Sequence, residues 1–359
     1  MYGLADSGRL WYKRLREEIL KLGCTELTGD GAAFLMHKRG ELIGIIGCHV
    51  DDLIYGGTSE FEQQVMKPLM ETFNISKTDY DTFVFCGMTL RQNSDMSITV
   101  SQRDYSQTIE NLPDYSKMSE TEKVTLLKSV AGQVLYLNLT RPDLMFDSSE
   151  ILRVGKSTDE RLKLAEKLLK KVKNGTGNII FRKLGPIEDL ELVVHSDASF
   201  NNIKYGKMST AGSVILLKGK SGNCAPIHWM SRPIIRVTRS TMAAEARALE
   251  LAIDYAILYS RQLKEIYNGV RTTNGIKVTA FTDSQTLLDA IVSSRQVEDK
   301  TLVHLIYGIK DKLLHNEVHR VSWVCTSKML ADGLTKSGIQ MDKLMHMIES
   351  GKFPLTMNY

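Results

Sequence analysis

The sequence predicts an α/β protein whose C-terminal half contains a mixed five-stranded sheet with helices on its faces. From residue 190 onward, apolar residues repeat with the periods of strands and helices, in the order strand, strand, strand, helix, strand, helix, strand, helix. Four acidic residues accompany these elements where a solvated carboxylate is not required: Asp197, Glu245, Asp283 and Asp332. The element order and the four acids together predict a functional site on this sheet.

Glu245 lies on the apolar side of a predicted helix. Its helical neighbours Leu249, Ala252 and Ala256 form an apolar stripe, whereas charged residues gather on the other side. Burying a carboxylate is costly unless a partner compensates its charge. By itself this pattern is typical of a buried ion pair or of a glutamate at the edge of the stripe.

Asp197 and Asp283 each end an apolar run that predicts a strand. Open α/β sheets place their sites at the carboxyl ends of strands, which favours a functional role for both. Alone, each could equally be a turn aspartate, and Asp283 with Ser284 suits the cap of a helix over 285–291. The interpretation therefore depends on the four acids taken together.

The strings around these acids match one family. They are HSDAS at 195–199, STAG at 209–212, IHW at 227–229, STMAAEA at 240–246, TDSQ at 282–285 and ADGLTK at 331–336. These strings resemble the ribonuclease H domain of copia-type LTR retrotransposon Pol polyproteins. The resemblance implies a ribonuclease H-like fold, with acids on the first strand, the first helix, the fourth strand and the last helix.

The resemblance also implies a reaction, the Mg²⁺-dependent endonucleolytic hydrolysis of the RNA strand of RNA–DNA hybrids. Two Mg²⁺ ions, or Mn²⁺ in their place, activate water and neutralise charge on the phosphate in such sites, and Mg²⁺ prefers carboxylate oxygens. By resemblance, Asp197 binds both ions. Glu245 and Asp283 bind the ion nearer the leaving group, and Asp332 binds the ion that activates water.

Candidate hybrid-binding residues flank the acids. RNA is recognised largely by shape and through 2′-hydroxyl groups in the minor groove, for which Ser284 and Gln285 are candidates. Arg232, Arg236 and Arg239 lie between the third predicted strand and the helix and could contact phosphates. A solvated loop would explain these three arginines equally well.

His195 precedes Asp197 by two residues and shares its face in a regular strand. One interpretation is a proton shuttle for the reaction. The other is an ordinary histidine near a strand end, because titration near neutrality alone is a weak argument for catalysis.

The N-terminal part resembles the reverse transcriptase of the same family, so the chain resembles a Pol fragment. Apolar periodicity predicts a helix over 2–22 and a strand over 41–50, which leads into a hairpin with Asp51 and Asp52. The matching strings are YGL at 2–4, GRLWY at 8–12, HVDD at 49–52, FCGM at 85–88, SQ at 101–102 with Tyr105, VAGQVLYL at 130–137 and TRPD at 140–143. HVDD corresponds to the YVDD box, and the resemblance implies a partial polymerase palm followed by a helical thumb or connection. Without the resemblance, a hairpin turn with two solvated aspartates is the alternative interpretation.

The polymerase part departs from the family pattern. ADSG at 5–8 stands where the family usually has KQAP, and His49 stands in place of the tyrosine. The strand that bears the first palm aspartate lies upstream in the family and is absent from this sequence. Because Asp51 and Asp52 alone would hold metal ions poorly, we expect no RNA-directed DNA polymerase activity from this chain alone. The expected partners are an RNA–DNA hybrid and either the missing N-terminal portion or other element-encoded proteins.

The expected domain division has four parts. Residues 1–90 form the truncated palm, 91–186 the thumb or connection-like region, 187–336 the ribonuclease H-like domain and 337–359 a C-terminal tail. A helix over 159–173 in the second part carries a lysine face, which is typical of solvated surface and could also follow phosphates.

Composition excludes several classes of protein. Of 359 residues 43% are hydrophobic and 25% charged, the formal net charge is +4, and no apolar run reaches the length of a membrane span. Five cysteines are scattered without metal-binding spacing, which favours reduced thiols. We therefore expect an intracellular location, in a cytoplasmic particle or the nucleus, without secretion or a membrane partner.

Two other functions are compatible with the pattern. One is a catalytically inactive retrotransposon remnant that at most binds nucleic acid. The other is DNA strand transfer by an integrase-like site, which the fourth acid disfavours because the integrase arrangement has three.

Overall fold

A computed structural model describes residues 6–75, 77–153, 156–175, 177–203, 208–270, 275–293 and 299–354, with side chains at 201–203, 300 and 301 left undescribed. Two compact units emerge from the packing. The first contains residues 1–86 and 258–276, and the second contains residues 87–257 and 277–359. The four-part division expected from the sequence stays a prediction.

The first unit is built on a four-stranded antiparallel sheet in the order β1-β2-β3-β4. Its elements are α1 (Ser7–Lys21), β1 (Thr25–Leu27), β2 (Asp30–Lys38), β3 (Glu41–His49), β4 (Asp52–Gly57), α2 (Ser59–Phe61), a π-helical turn (Glu62–Met66), α3 (Lys67–Phe73) and β5 (Thr82–Phe85). Leu15 and Ile19 of α1 pack with Phe34 and Phe61 in its core. A Cβ atom at Gly44 would lie 2.1 Å from the Phe61 ring, so glycine allows this ring to lie directly on β3. The helix predicted over 2–22 is present from Ser7 onward, and residues 1–5 with the YGL string lie outside the described residues.

The second unit begins with small antiparallel strands and a helical layer. The elements are β6 (Met88–Gln92), β7 (Ile98–Ser101), α4 (Arg103–Thr108), α5 (Glu120–Leu137), α6 (Met145–Glu150), α7 (Thr158–Asn174) and β8 (Asn178–Phe181), with β7 pairing to both β6 and β8. Capping boxes Ser119/Glu122 and Ser157/Glu160 begin α5 and α7 and satisfy their first amide groups. Arg141 and Asp143 of the TRPD string are buried and form an ion pair, which indicates a structural role for this string.

The second unit continues with a mixed sheet of five strands in the order β11-β10-β9-β12-β13. Its elements are β9 (Glu191–Ile203), β10 (Met208–Lys218), β11 (Cys224–Ile234), α8 (Thr241–Asn268, whose C-terminal part belongs to the first unit), β12 (Lys277–Thr282), α9 (Gln285–Val292), α10 (Lys300–Leu314), β13 (Arg320–Trp323) and α11 (Asp342–Ser350). Strands β9, β10 and β11 are antiparallel, whereas β12 runs parallel to β9 and β13. This order and these directions confirm the predicted ribonuclease H-like sheet with flanking helices.

Two details differ from the predicted element order. Two helices, α9 and α10, connect β12 to β13 where a single helix was expected. Asp332 begins a short 3-10 turn, Asp332–Leu334, and does not lie on the last helix. The Thr335 amide closes this turn by donating to the Asp332 carbonyl oxygen, and Gly338 adopts a φ of +80° before α11 begins.

Helix α11 lies within the segment assigned as a C-terminal tail. Its residues Leu344, Met347 and Ile348 are buried and pack with Val214 and Leu216 of β10. None of the described helices combines the length and apolar character needed to cross a bilayer.

Candidate active site

Three of the four predicted acids meet at the centre of the mixed sheet. Asp197 lies within β9, Asp283 follows the last residue of the parallel neighbour β12, and Glu245 lies in the first turns of α8. Each offers a carboxylate oxygen, and these three oxygens lie within 4.8 Å of one another. The apolar stripe that Leu249, Ala252 and Ala256 form is buried, as predicted, and it carries Glu245 to this position.

Asp332 is near this group but is not part of it among the described residues. The ammonium group of Lys336 connects it to the others, with Nζ 2.5 Å from Asp332 Oδ1 and 3.6 Å from Asp197 Oδ2. The Thr335 hydroxyl donates to Asp197 Oδ2 and lies 3.0 Å from the Asp332 carbonyl oxygen. The structure therefore places the fourth acid beside Asp197, with a lysine between the two.

Gly212 allows the segment that carries Asp332 to approach Asp197. It pairs with Asp197 across β9 and β10. A Cβ atom at this position would lie 2.7 Å from Thr335 Cγ2, 2.9 Å from Leu334 Cβ and 3.1 Å from the Ala331 carbonyl oxygen. Only glycine lets the 331–335 segment lie this close to the strand, which explains the glycine of the STAG string.

Burial and mutual repulsion make ionisation of these carboxyl groups unfavourable. Glu245 is 5% exposed and Asp197 is 1% exposed. Burial, and then the charges of Asp197 and Asp283, raise the pKa of Glu245 to about 9. A hydrogen bond from the Ala198 backbone has the opposite, smaller effect on this pKa. Burial also raises the pKa of Asp197 to about 6, although the Thr335 hydrogen bond and the Lys336 charge oppose this. Within the described part of the chain, Glu245 Oε2 has no hydrogen-bond partner.

These residues fit a divalent cation. The donors are all carboxylate oxygens, the set that Mg²⁺ and Mn²⁺ prefer over nitrogen and sulfur ligands. A cation would give the buried Glu245 Oε2 the partner it lacks, and it would offset the repulsion that raises the carboxyl pKa values. Asp197, Glu245 and Asp283 are therefore suited to hold one ion, and Asp332 is linked to Asp197 through Lys336.

The two raised pKa values predict how added Mg²⁺ changes stability with pH. A carboxyl pKa that is higher in the folded than in the unfolded state gives stability at low pH, and this is lost as pH rises through the folded pKa, here about 6 and about 9. Mg²⁺ needs the ionised groups, so its stabilising effect should grow over the same range. We expect Mg²⁺ to raise the Tm by less than about 1 °C at pH 5.5 and by several degrees at pH 8.5. Thermal denaturation with and without Mg²⁺ checks this. An increase in Tm that is the same at both pH values, or larger at pH 5.5, would contradict it.

Asp283 is held by two side chains, one from the last residue of β13 and one from the turn that follows it. The Thr326 hydroxyl donates to Asp283 Oδ2 at 3.0 Å, and Trp323 Nε1 donates to the Asp283 carbonyl oxygen at 3.0 Å. Together with Thr335 and Lys336, these residues were not assigned a role from the sequence. The available signal was weak: Lys336 follows Asp332 by four residues, and Thr326 stands in the loop before the last acid.

Removing the Thr326 hydroxyl should weaken the site without unfolding the protein. We expect Thr326→Ala to reduce metal-dependent cleavage of an RNA–DNA hybrid by about tenfold, because groups that orient a metal ligand have effects of this order. Thr326→Ser, which keeps the hydroxyl, should stay near wild type. Ser327→Ala is the matched control, since Ser327 contacts Cys325 Sγ instead of an acid. Equal activity of the Thr326→Ala and Ser327→Ala proteins would show that Asp283 needs no such support.

His195 is a core residue in this structure. It is completely buried, its ring stacks on Phe281 with centroids 5.3 Å apart, and Nδ1 accepts a hydrogen bond from the Leu330 amide. Burial lowers its pKa to about 3. These contacts favour the structural interpretation over the proton shuttle.

Of the predicted nucleic-acid-binding residues, Ser284 and Gln285 directly follow Asp283. Ser284 caps α9 by accepting from the Leu287 amide, and exposed Gln285 donates to Asp289. Arg232 is on β11 itself and not in the loop after it, whereas Arg236 and Arg239 are in that loop, and all three are exposed. Their contacts with nucleic acid stay predictions.

Asp51 and Asp52 occupy the predicted hairpin in the first unit. His49 pairs with Asp52 across β3 and β4, and Val50 in the turn has a φ of +55°. Trp11 Nε1 donates to the Val50 carbonyl oxygen at 2.9 Å, and both aspartates are exposed. The hairpin is confirmed, whereas the polymerase role of these residues stays a prediction.

Comparison with known proteins gives distant relatives that cover most of the chain. No protein-family model matches it. It is 26% identical over 360 residues to the retrovirus-related Pol polyprotein from transposon RE1 of Arabidopsis thaliana, covering 94% of this chain and 23% of that protein. It is 26% identical over 259 residues to a putative transposon Ty5-1 protein of Saccharomyces cerevisiae, covering 65% of this chain and 80% of that protein. This chain thus spans about a quarter of the length of the RE1 polyprotein.

Solved structures give a weaker likeness. The RNase H1 of the halophilic archaeon Halobacterium salinarum is 16% identical with a TM-score of 0.31, covering 40% of this chain and 93% of that chain. At this level the likeness supports no functional argument, so the fold assignment rests on the strand order and directions of the sheet itself.

Proposed function

Since the chain is a relative of copia-type retrotransposon Pol polyproteins, we propose that it is a ribonuclease H, which cleaves the RNA strand of RNA–DNA hybrids endonucleolytically with Mg²⁺. The observation that carries the proposal is the meeting of Asp197, Glu245 and Asp283 within 4.8 Å on a ribonuclease H-like sheet. The buried, unpartnered oxygen of Glu245 supports a cation site at this place.

Asp197 belongs to two sets of contacts. It groups with Glu245 and Asp283 within 4.8 Å, and Lys336 links it to Asp332. Two bound divalent ions, Mg²⁺ or Mn²⁺, would activate a water molecule and neutralise charge on the phosphate and the leaving 3′ oxygen. Asp197 would share its carboxylate between the two positions, Glu245 and Asp283 would serve the leaving-group side, and Asp332 would serve the water side.

The remaining residues hold these acids in place. Thr335 fixes one oxygen of Asp197, and Thr326 fixes one oxygen of Asp283. Because each hydroxyl uses one oxygen, the other oxygen of each carboxylate is left for an ion or for water. Burial of Asp197 and Glu245 removes competing solvent, which strengthens their interaction with a cation.

Recognition of the hybrid would use the surface beside Asp283. Ser284 and Gln285 directly follow this acid and could reach 2′-hydroxyl groups, which distinguish RNA from DNA. Arg232, Arg236 and Arg239 would contact phosphates without reading sequence. The same proposal includes action inside the cell, in a cytoplasmic particle or the nucleus, together with other proteins of the element such as the N-terminal portion of the reverse transcriptase.

The test is cleavage of a hybrid whose RNA strand is labelled, with the full chain in Mg²⁺ and in EDTA. The proposal predicts RNA fragments in Mg²⁺, none in EDTA, and recovery when Mn²⁺ is added back. A folded protein that binds the hybrid but never cuts it would contradict the proposal and identify an inactive remnant. Cutting or joining of a DNA duplex that lacks RNA would identify an integrase-like activity instead.

A further inference from the structure

Lys336 has an unusual place for a charged side chain in this site. Its ammonium group lies between two acids, 2.5 Å from Asp332 Oδ1 and 3.6 Å from Asp197 Oδ2. The residue follows Asp332 by four positions, beyond the 3-10 turn Asp332–Leu334. No role in the reaction has so far been given to this lysine.

The distribution of positive charge around the four acids is uneven. Within the described ranges, Lys336 is the basic side chain that lies within 4.0 Å of Asp197 and of Asp332. In the same ranges, no basic side chain lies within 4.0 Å of Glu245 or Asp283, and Glu245 Oε2 is buried without a hydrogen-bond partner. Asp197 and Asp332 thus share a built-in cation, whereas Glu245 and Asp283 have none within this distance.

We propose that Lys336 is an internal counter-ion that a divalent cation must displace from between Asp197 and Asp332. The inference rests on the proposed function, because it concerns the second of the two ion positions. A cation that contacts both Asp197 and Asp332 would need the place that the ammonium group now fills. The position at Asp197, Glu245 and Asp283 requires no such displacement and therefore fills first.

The displacement is physically accessible. The Lys336 side chain is 42% exposed, whereas Asp197 is almost completely buried. A lysine ammonium is strongly hydrated and sits on a flexible stem of four carbons, so it can move into solvent without disturbing the backbone. The acids stay where Thr335 and the strand hold them, and a double positive charge replaces a single one. No covalent bond changes.

The position of Lys336 between Asp197 and Asp332 has two consequences for the protein. Before metal binds, Lys336 lowers the repulsion between Asp332 and the other acids and so stabilises the folded chain. When metal binds, the lysine competes at one position only, and the two ions are taken up at different concentrations. A site with two ions would then form only when the divalent cation is abundant enough to displace the lysine.

The test is titration of the full chain with Mn²⁺ in the absence of nucleic acid, followed by electron paramagnetic resonance of the free ion and by calorimetry. The wild type should bind one ion more tightly than a second. Lys336→Met and Lys336→Gln should tighten the weaker binding by about tenfold, since they remove a charge that contacts two of its ligands. Lys336→Arg keeps the charge and should bind as the wild type does.

A matched control is Lys312→Met, because Lys312 pairs with Asp254 on α8 at 2.5 Å and contacts none of the four acids. It should leave both affinities unchanged. Thermal denaturation without metal gives a second readout: Lys336→Met should lower the Tm, and saturating Mn²⁺ should remove the difference from wild type.

The outcomes separate this inference from the proposed function. Two ions bound by the wild type, with unchanged or weaker second binding in both Lys336→Met and Lys336→Gln, would overturn the counter-ion role and leave the proposed metal site intact. A folded wild-type protein that binds no Mn²⁺ would overturn the metal site and the counter-ion role together.

Discussion

Replacing Glu245 by glutamine is expected to stabilise the metal-free protein while it abolishes RNA cleavage. Glu245 is 95% buried, its pKa is raised to about 9 by burial first and then by Asp197 and Asp283, and Oε2 has no partner in the described structure. At pH 8 the fold therefore carries either an uncompensated charge or a bound proton. A neutral amide of the same shape removes this cost, which we expect to be worth about 1–3 kcal/mol.

The same substitution should reduce metal-dependent cleavage by about 100-fold or more, because the amide cannot supply a negative ligand oxygen. Thermal denaturation in EDTA and hybrid cleavage in Mg²⁺ measure the two effects. Glu250→Gln is the matched control: Glu250 lies on the same helix and burial raises its pKa, but it is outside the acidic group. A Glu245→Gln protein that is less stable than wild type in EDTA at pH 8 would show that the buried Glu245 carboxyl does not destabilise the metal-free fold.

Replacing Asp197 by asparagine is expected to cause the largest loss of activity. Asp197 belongs to the group with Glu245 and Asp283 and also lies 3.6 Å from Lys336 Nζ, which pairs with Asp332. Its loss should remove several kcal/mol of stabilisation of the charged transition state, which corresponds to a decrease of about 1,000-fold or more. The asparagine side chain can still accept the Thr335 hydrogen bond, so the fold should be kept.

Circular dichroism and Mn²⁺ titration complete the Asp197→Asn experiment. The far-ultraviolet spectrum should match the wild type, and the weaker of the two ions should no longer bind. Asp254→Asn, at an exposed acid that pairs with Lys312, should leave activity unchanged. Residual activity of more than about one tenth of wild type would show that Asp197 is not the shared ligand.

Much of the site could be predicted because its signals are local. A strand end marks Asp283 and a helical stripe marks Glu245, and each pattern depends on residues within one element. An apolar run marks Asp197, although β9 continues beyond it to Ile203 and the predicted strand end at Asp197 is wrong. The parallel pairing of β9 with β12 then brings the carboxyl end of β12 beside Asp197, which lies inside the longer β9. The resemblance of the strings to one family then indicated how these strands and helices are arranged in the fold.

The remainder of the site depends on contacts between distant segments. The path of residues 331–336 follows from the absence of a side chain at Gly212, more than a hundred residues earlier. Neither strand nor helix periodicity indicates that Lys336 would reach Asp197, or that Asp332 would begin a 3-10 turn. The strand alternation correctly indicated that His195 shares a face with Asp197, but it could not show that the Phe281 ring covers it.

The most direct test of the proposed ribonuclease H activity uses a hybrid labelled on both strands, incubated in Mg²⁺ with the wild-type chain and with Asp197→Asn. We expect fragments of the RNA strand alone from the wild type and none from Asp197→Asn. Fragments of the DNA strand, or equal RNA cleavage by both proteins, would contradict it.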